Sequence, residues 1–202
     1  MILYDYLDSG NGYKIRLLLA QLERAYRWEE LDILHGATRT AGFLGKNPNG
    51  RIPTLELDDG PCLAESNAIL WYLADGTAYL PAGKLERAQV LQWMFFEQYS
   101  HEPYVATPRF IVKHLPQDSP RRAELPKRLE QGRAALAVME QHLAGRQFFV
   151  GERYSIADIA LYAYTHVGHE GGLDLTPYAG VRAWIDRVAS QPLYVPLTAR
   201  PG

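Results

Sequence analysis

The sequence predicts an α/β domain followed by an all-α domain: a small mixed four-stranded sheet covered by helices, then a helical bundle. Three observations carry this. Strand-like runs alternate with a strongly patterned helix through residues 1–76, residues 75–83 are rich in glycine and proline, and strand signals nearly vanish beyond them. Domains are expected at 1–76 and 84–202, with 77–83 as the linker.

Residues 2–7 form a short β-rich run, and Asp8-Ser9-Gly10-Asn11-Gly12 is a polar turn into a helix over 13–24. In that helix Ile15, Leu18, Leu19 and Leu22 fall at the i, i+3, i+4, i+7 spacing of one buried face, which turns Lys14, Gln21 and Glu23 toward water. Tyr26 and Trp28 alternate weakly in a second strand over 26–33. The Thr-rich segment 38–46 makes a short helix that Asn47-Pro48 ends. Thr54-Leu55-Glu56-Leu57 then alternates as a half-buried strand, Asp58-Asp59-Gly60 supplies a tight turn, and 61–64 is a very short return strand. The order is β-α-β-α-β-β-α, in which two strands joined through a helix run parallel and a hairpin adds antiparallel ones. Farther on, Leu125, Leu129, Gly132, Leu136, Met139 and Leu143 lie on one helical stripe, and Ser155-Ile156-Ala157-Asp158 reads as a capping box.

A chain of 202 residues, 47% of them hydrophobic, can bury a real core. The net charge is −2, with lysines and arginines spread along the chain, which lacks the electrostatic footprint of a nucleic-acid binder. The N-terminus has no secretory pattern and the apolar runs are too short for a membrane span, so a cytoplasmic location is expected. Cys62 is the only cysteine, which excludes an intrachain disulfide, a CxxC pair and a cysteine-based zinc site. His166 and His169, with Glu170 adjacent, offer no third ligand, and no metal is expected. Gly10-Asn11-Gly12 lacks the third glycine of a dinucleotide loop, and Ser9 has no locatable His-Asp relay.

The most informative stretch is NPNGRIPTLELDDGPCLAESNAILWYLA, residues 47–74. Glu65-Ser66 ends the hairpin just before a helix carrying Ala68, Ile69, Leu70, Trp71 and Leu73. A carboxylate, a hydroxyl and the free N–H groups of a helix start converge there, a combination able to hold an amine and a carboxylate together. The plainer alternative makes Pro53 an ordinary turn proline and Ser66 an N-cap.

Taken with the strand-turn-helix start, Ile52-Pro53, Ser155–Asp158 and the helical second half, these residues resemble the cytosolic glutathione S-transferase family, of a bacterial, serine-type kind. The resemblance implies a thioredoxin-like first domain in which Ile52, before a cis Pro53, offers its backbone to the cysteinyl part of glutathione. It implies Glu65 at the γ-glutamyl amine and Ser66 at the γ-glutamyl carboxylate, with the helix N-terminus reinforcing Ser66. Ser9 occupies the place of the thiol activator in serine-type classes, and Asn11 is a second donor in the same loop, although both residue types also serve simply as turn formers. A free thiol has a pKa of about 8.5, and lowering it by about two units requires about 2.7 kcal/mol. Where tyrosine-type members carry their catalytic tyrosine this chain has Asp5, between Tyr4 and Tyr6. Where related bacterial sequences often carry cysteine it has Gly12, so thiol-disulfide chemistry through that position is unavailable.

Arg51 is the first candidate for a glutathione carboxylate, ahead of Arg39, Lys46 and His35. Gly50 stands where serine-type relatives often have histidine. Tyr99, Tyr104, Phe110 and His114 are candidates for a second-substrate pocket, with core packing as the plainer reading. The implied function is conjugation of reduced glutathione, as co-substrate, to small hydrophobic electrophiles. Alternatives are a glutathione-dependent peroxidase and a noncatalytic binding or interaction module of the same fold. A homodimer is implied, and neither nucleic acid nor membrane is an expected partner.

Overall fold

The computed structural model describes residues 1–201, which divide into two compact units: Met1–Gly76 with the tail from Pro192, and Thr77–Gln191.

The first unit runs β1 (Ile2–Asp5), α1 (Gly10–Gln21), β2 (Arg27–Glu30), two 3-10 turns (Ile33–His35 and Ala37–Arg39), α2 (Ala41–Leu44), β3 (Thr54–Glu56), β4 (Cys62–Ala64) and α3 (Ser66–Ala74). The sheet is four-stranded in the order β2-β1-β3-β4. β1 and β2 are parallel with Leu3 opposite Trp28, whereas β1–β3 and β3–β4 are antiparallel with Leu55 opposite both Leu3 and Leu63. This is the mixed sheet expected from the sequence. Leu3 and Leu55 at its centre are fully buried, as are Ile15, Leu18 and Leu19 of α1 and Ile69, Leu70 and Leu73 of α3.

Helix α1 departs from expectation. Glu23 beyond its end is exposed, but Lys14 is 0% and Gln21 6% exposed, and Arg16 is buried as well. Periodicity finds the apolar stripe of a helix; it cannot show that the other face is also covered. Here α3 lies alongside α1, and the tail, expected within a helical domain spanning 84–202, packs with the first unit instead. The Tyr13 hydroxyl donates to Val195 O at 2.8 Å, and Arg16 Nη1 donates to Leu197 O at 2.9 Å and Ala199 O at 3.2 Å. Arg200 pairs with Glu30 at 2.9 Å.

The second unit contains α4 (Lys84–Phe96), a π turn (Glu97–His101), α5 (Glu102–His114), a 3-10 turn (Pro120–Glu124), α6 (Leu125–Leu143), α7 (Ile156–Thr165), a second 3-10 turn (Gly168–Gly171) and α8 (Ala179–Ala189). The stripe of α6 buries Gly132, Leu136, Met139 and Leu143. Gly132 is required by close approach, since a Cβ there would lie 2.7 Å from Tyr104 O. Helix α7 is buried all round and starts at the expected capping box. No helix among the described residues is long and apolar enough to cross a membrane.

Candidate functional site

The candidate site is assembled where α1 and α3 begin. Ser9 is the N-cap of α1, its Oγ accepting the Gly12 N–H at 3.4 Å. One turn on, the Lys14 ammonium donates to Asn11 Oδ1 at 2.8 Å and to Ser66 Oγ at 3.2 Å. The Ser66 hydroxyl donates in turn to Asn11 Oδ1 at 3.3 Å. Ser66 is the first residue of α3, with Glu65 at the N-cap position making no side-chain cap to the helix. The plain N-cap reading of Ser66 therefore fails, because its hydroxyl reaches across to α1 rather than down onto its own first turn. Glu65 is exposed and sits at φ 67°, ψ 114°, a region that costs a non-glycine residue about 1–3 kcal/mol and recurs at ligand sites.

The second wall is the loop before β3. The Ile52–Pro53 bond is cis. Asn47, nearly fully buried, holds the loop from beneath: Nδ2 donates to Arg51 O at 2.8 Å and Thr54 Oγ1 at 3.1 Å, while Oδ1 accepts the Asn49 N–H at 3.1 Å. Gly50 has φ 62°, and a Cβ on it would lie 2.4 Å from Arg39 Nη1. That guanidinium is occupied in bracing the loop through Asn49 O at 3.1 Å. Lys46 pairs with Glu56 at 2.7 Å and holds its carboxyl below the usual range; His35 pairs with Asp32 at 2.7 Å. Of the four cations weighed for this loop, Arg51 is exposed and makes no side-chain hydrogen bond or ion pair among the described residues.

Beneath α1, Asp5 is fully buried against Arg16, Oδ2 to Nε 2.9 Å. Burial pushes its carboxyl up to about 6 against the pull of the guanidinium. A Cβ on Gly12 would stand 1.4 Å from Asp5 Oδ1. Asp5 thus fills the space a side chain at position 12 would need, which accounts for glycine there. Tyr4 is buried with its hydroxyl on Glu56 at 2.7 Å, away from this corner. Cys62 lies in β4, its thiol pushed up by burial, the opposite of activation.

Residues 1–75 match the family model "Glutathione S-transferase, N-terminal domain" and residues 93–192 match "Glutathione S-transferase, C-terminal domain". The chain belongs to the glutathione S-transferase family. A solved glutathione S-transferase from Pseudomonas fluorescens is 56% identical with a TM-score of 0.94, covering 98% of each chain. The disulfide-bond oxidoreductase YfcG of Escherichia coli is 32% identical over 200 residues, which is 95% of this chain and 92% of that protein. A solved glutathione transferase from Burkholderia graminis, with two glutathione molecules bound per subunit, is 26% identical with a TM-score of 0.82, covering 95% of this chain and 84% of that one.

Within this glutathione S-transferase fold the remaining candidates lie in the second unit. Tyr99 is 83% exposed on the π turn. Phe110 and His114, one turn apart on α5, hold their rings 5.2 Å apart. Tyr104 lines a cleft of about 380 Å³ with Ala123, Glu124, Lys127, Arg128 and Gln131, which the other three do not line. His166 bonds Tyr162 O at 2.8 Å, and Glu170 is taken by Arg109 at 2.8 Å; no cluster able to hold a metal ion occurs among the described residues. Sequence reasoning missed two residues of the candidate site. Lys14 looked like a solvated neighbour of an apolar stripe, and Asn47 looked only like part of a helix stop. The one available signal was the spacing of Lys14 and Arg16 around Ile15 in an otherwise apolar run.

Proposed function

We propose that this member of the glutathione S-transferase family binds reduced glutathione at the starts of α1 and α3 and ionises its thiol for attack on a small hydrophobic electrophile. The observation that carries the reading is the Ser66 hydroxyl, which turns from its own helix toward Asn11 and Lys14 at a helix start that its N-cap residue Glu65 does not cap. In this reading Ser66 and the first-turn N–H groups of α3 take the γ-glutamyl carboxylate and Glu65 takes the amine. Ile52 offers its backbone to the cysteinyl unit, and the unengaged Arg51 meets the glycyl carboxylate. Ser9 and Asn11 are the donors to sulfur, and a hydrogen bond to the thiolate lowers the thiol pKa.

Calorimetric titration with glutathione in two buffers of different ionisation enthalpy counts the protons released on binding. Release approaching one per site at neutral pH is the expected result; binding without release leaves a noncatalytic glutathione-binding module, and no binding removes the reading altogether. Ser9→Ala is expected to lower turnover at least about tenfold while glutathione affinity stays within about twofold. Equal turnover in the variant would leave Asn11 as the activating donor.

A second reading uses the same thiolate for peroxide reduction. It attacks a peroxide oxygen, the O–O bond breaks and the other oxygen leaves as an alcohol (or water) after taking a proton, and a second glutathione then displaces hydroxyl from the sulfenic sulfur to give the disulfide and water. It shares with the first reading that a Cβ at position 12 would collide with the Asp5 carboxylate, so that position supplies no sulfur of its own. What favours it is the Burkholderia relative holding two glutathione molecules per subunit. Product analysis with a peroxide and with an aryl halide separates the two. A homodimer belongs to the proposal too: Phe95 and Tyr99, one turn apart, are 69% and 83% exposed, an apolar surface suited to a second copy. Sedimentation at the monomer mass would remove it.

A further inference from the structure

We propose that Lys14 is a positioning residue that aims the Asn11 amide and the Ser66 hydroxyl at one ligand and couples them, a role that rests on glutathione occupying the site as described above. A fully buried ammonium is costly, and a helix that needed only packing would carry leucine or methionine at this position. An ammonium has donors and no acceptor, so it decides how each of its partners is turned. Asn11 must present Oδ1 to Lys14, at 2.8 Å, which places its two N–H bonds on the opposite edge of the carboxamide. Ser66 must present oxygen, at 3.2 Å, which leaves its single proton for another acceptor.

In the structure that proton goes to Asn11 Oδ1 over 3.3 Å, a long hydrogen bond. A carboxylate arriving at Ser66 is the stronger acceptor, since charge-assisted hydrogen bonds are about twice as strong as neutral ones. The hydroxyl turns to the ligand, and Asn11 Oδ1 is left to Lys14 within this cluster. The ammonium then polarises the carboxamide and strengthens its N–H groups as donors. The γ-glutamyl carboxylate at one end of the ligand thereby strengthens the hydrogen bond available to the sulfur in the middle of it. Lys14 is the hinge of that exchange because it bonds both partners before and after.

The test reads the titration of the bound thiol by its ultraviolet thiolate absorbance, at saturating ligand. Two ligands are compared on the unaltered protein: glutathione, and the analogue whose γ-glutamyl unit lacks the α-carboxylate. The analogue's thiol is expected to titrate about one pH unit higher than that of bound glutathione. In Lys14→Met, which keeps the length and removes the charge, the bound glutathione thiol moves up by about the same amount, affinity falls about tenfold, and the difference between the two ligands disappears. A merely structural lysine would not move the thiol titration. Identical titrations for the two ligands on the unaltered protein, or a glutathione thiol in Lys14→Met that titrates as in the unaltered protein, would overturn the role of Lys14 while leaving glutathione binding intact. Failure of the unaltered protein to bind either glutathione or S-methylglutathione would overturn the underlying reading as well. Should Lys14→Met fail to fold, the two-ligand comparison on the unaltered protein decides by itself.

Discussion

Two helices in different units begin with a serine beside an acidic residue, and the two hydroxyls behave in opposite ways. At α7 everything closes inward. Asp158 Oδ2 accepts the Ser155 N–H at 2.9 Å, Oδ1 accepts the Phe149 N–H at 3.1 Å and the Trp184 indole N–H at 2.9 Å, and Ser155 Oγ accepts the Ala157 N–H at 3.3 Å. Both Ser155 and Asp158 are buried, and these bonds all end on the protein itself. At α3 the acidic residue precedes the serine, stands in water with a strained backbone and does not cap the helix with its side chain, while the serine bonds to a neighbouring helix. A helix start whose side chains fold back onto it is a structural joint. One whose side chains turn away keeps its N–H groups for something else.

The contrast breaks most easily at Asp158. Asp158→Ala strips acceptors from the buried N–H groups of Ser155, Phe149 and Trp184 and is expected to cost about 3 kcal/mol or more in urea unfolding. A cost under about 1 kcal/mol would make the joint no more structural than the start of α3. Ser66→Ala should show the reverse pattern. Glutathione affinity falls about tenfold or more, while stability changes by only about 1 kcal/mol. Unchanged affinity would place Ser66 with Ser155 as a structural residue.

The smallest effect is in pH. Burial pushes the Asp158 carboxyl up to about 6, against its N–H donors, whereas an unfolded aspartate titrates at about 3.9. Between those values the native chain binds more protons than the unfolded one, so this group favours the fold most at the acid end and loses that contribution as pH rises toward 6. His166, which burial pushes down to about 4, acts the other way, because the unfolded imidazole accepts a proton that the native one refuses. Asp158→Asn isolates the first term. Going from pH 7 to 5, the stability of the unaltered chain should gain about 1 kcal/mol relative to that variant, measured as paired urea midpoints. A gap independent of pH would mean that Asp158 is less sealed than its burial indicates.

What could be read from the sequence was what is local. The order β-α-β-α-β-β-α follows from alternation, from the i, i+3, i+4 spacing of Ile15, Leu18 and Leu19, and from the turn residues Asp58-Asp59-Gly60, all within a few residues of one another. The capping box was legible because it closes within three residues. Ile52-Pro53 and Glu65-Ser66 were legible as short motifs for the same reason. Lys14 was not, because its burial depends on α3 and its nearness to Ser66 spans 52 residues of chain. Nor was the destination of the tail, since the carbonyl oxygens of Val195, Leu197 and Ala199 are backbone groups that every residue carries. Gly12 could be noted as an absence of cysteine, but its cause, the Asp5 carboxylate in the space beside it, is visible only in three dimensions.

The tail also gives the first unit a history. During synthesis α1 is made before the second unit, but Val195, Leu197 and Ala199 emerge only after the whole of Thr77–Gln191 has been translated. Until then the Arg16 guanidinium lacks two of its carbonyl acceptors and the Tyr13 hydroxyl lacks Val195. The helix that Ser9 caps and that carries Asn11 and Lys14 is therefore made before the second unit and finished after it, and a nascent chain stopped at Gln191 holds α1 with those bonds still unmade.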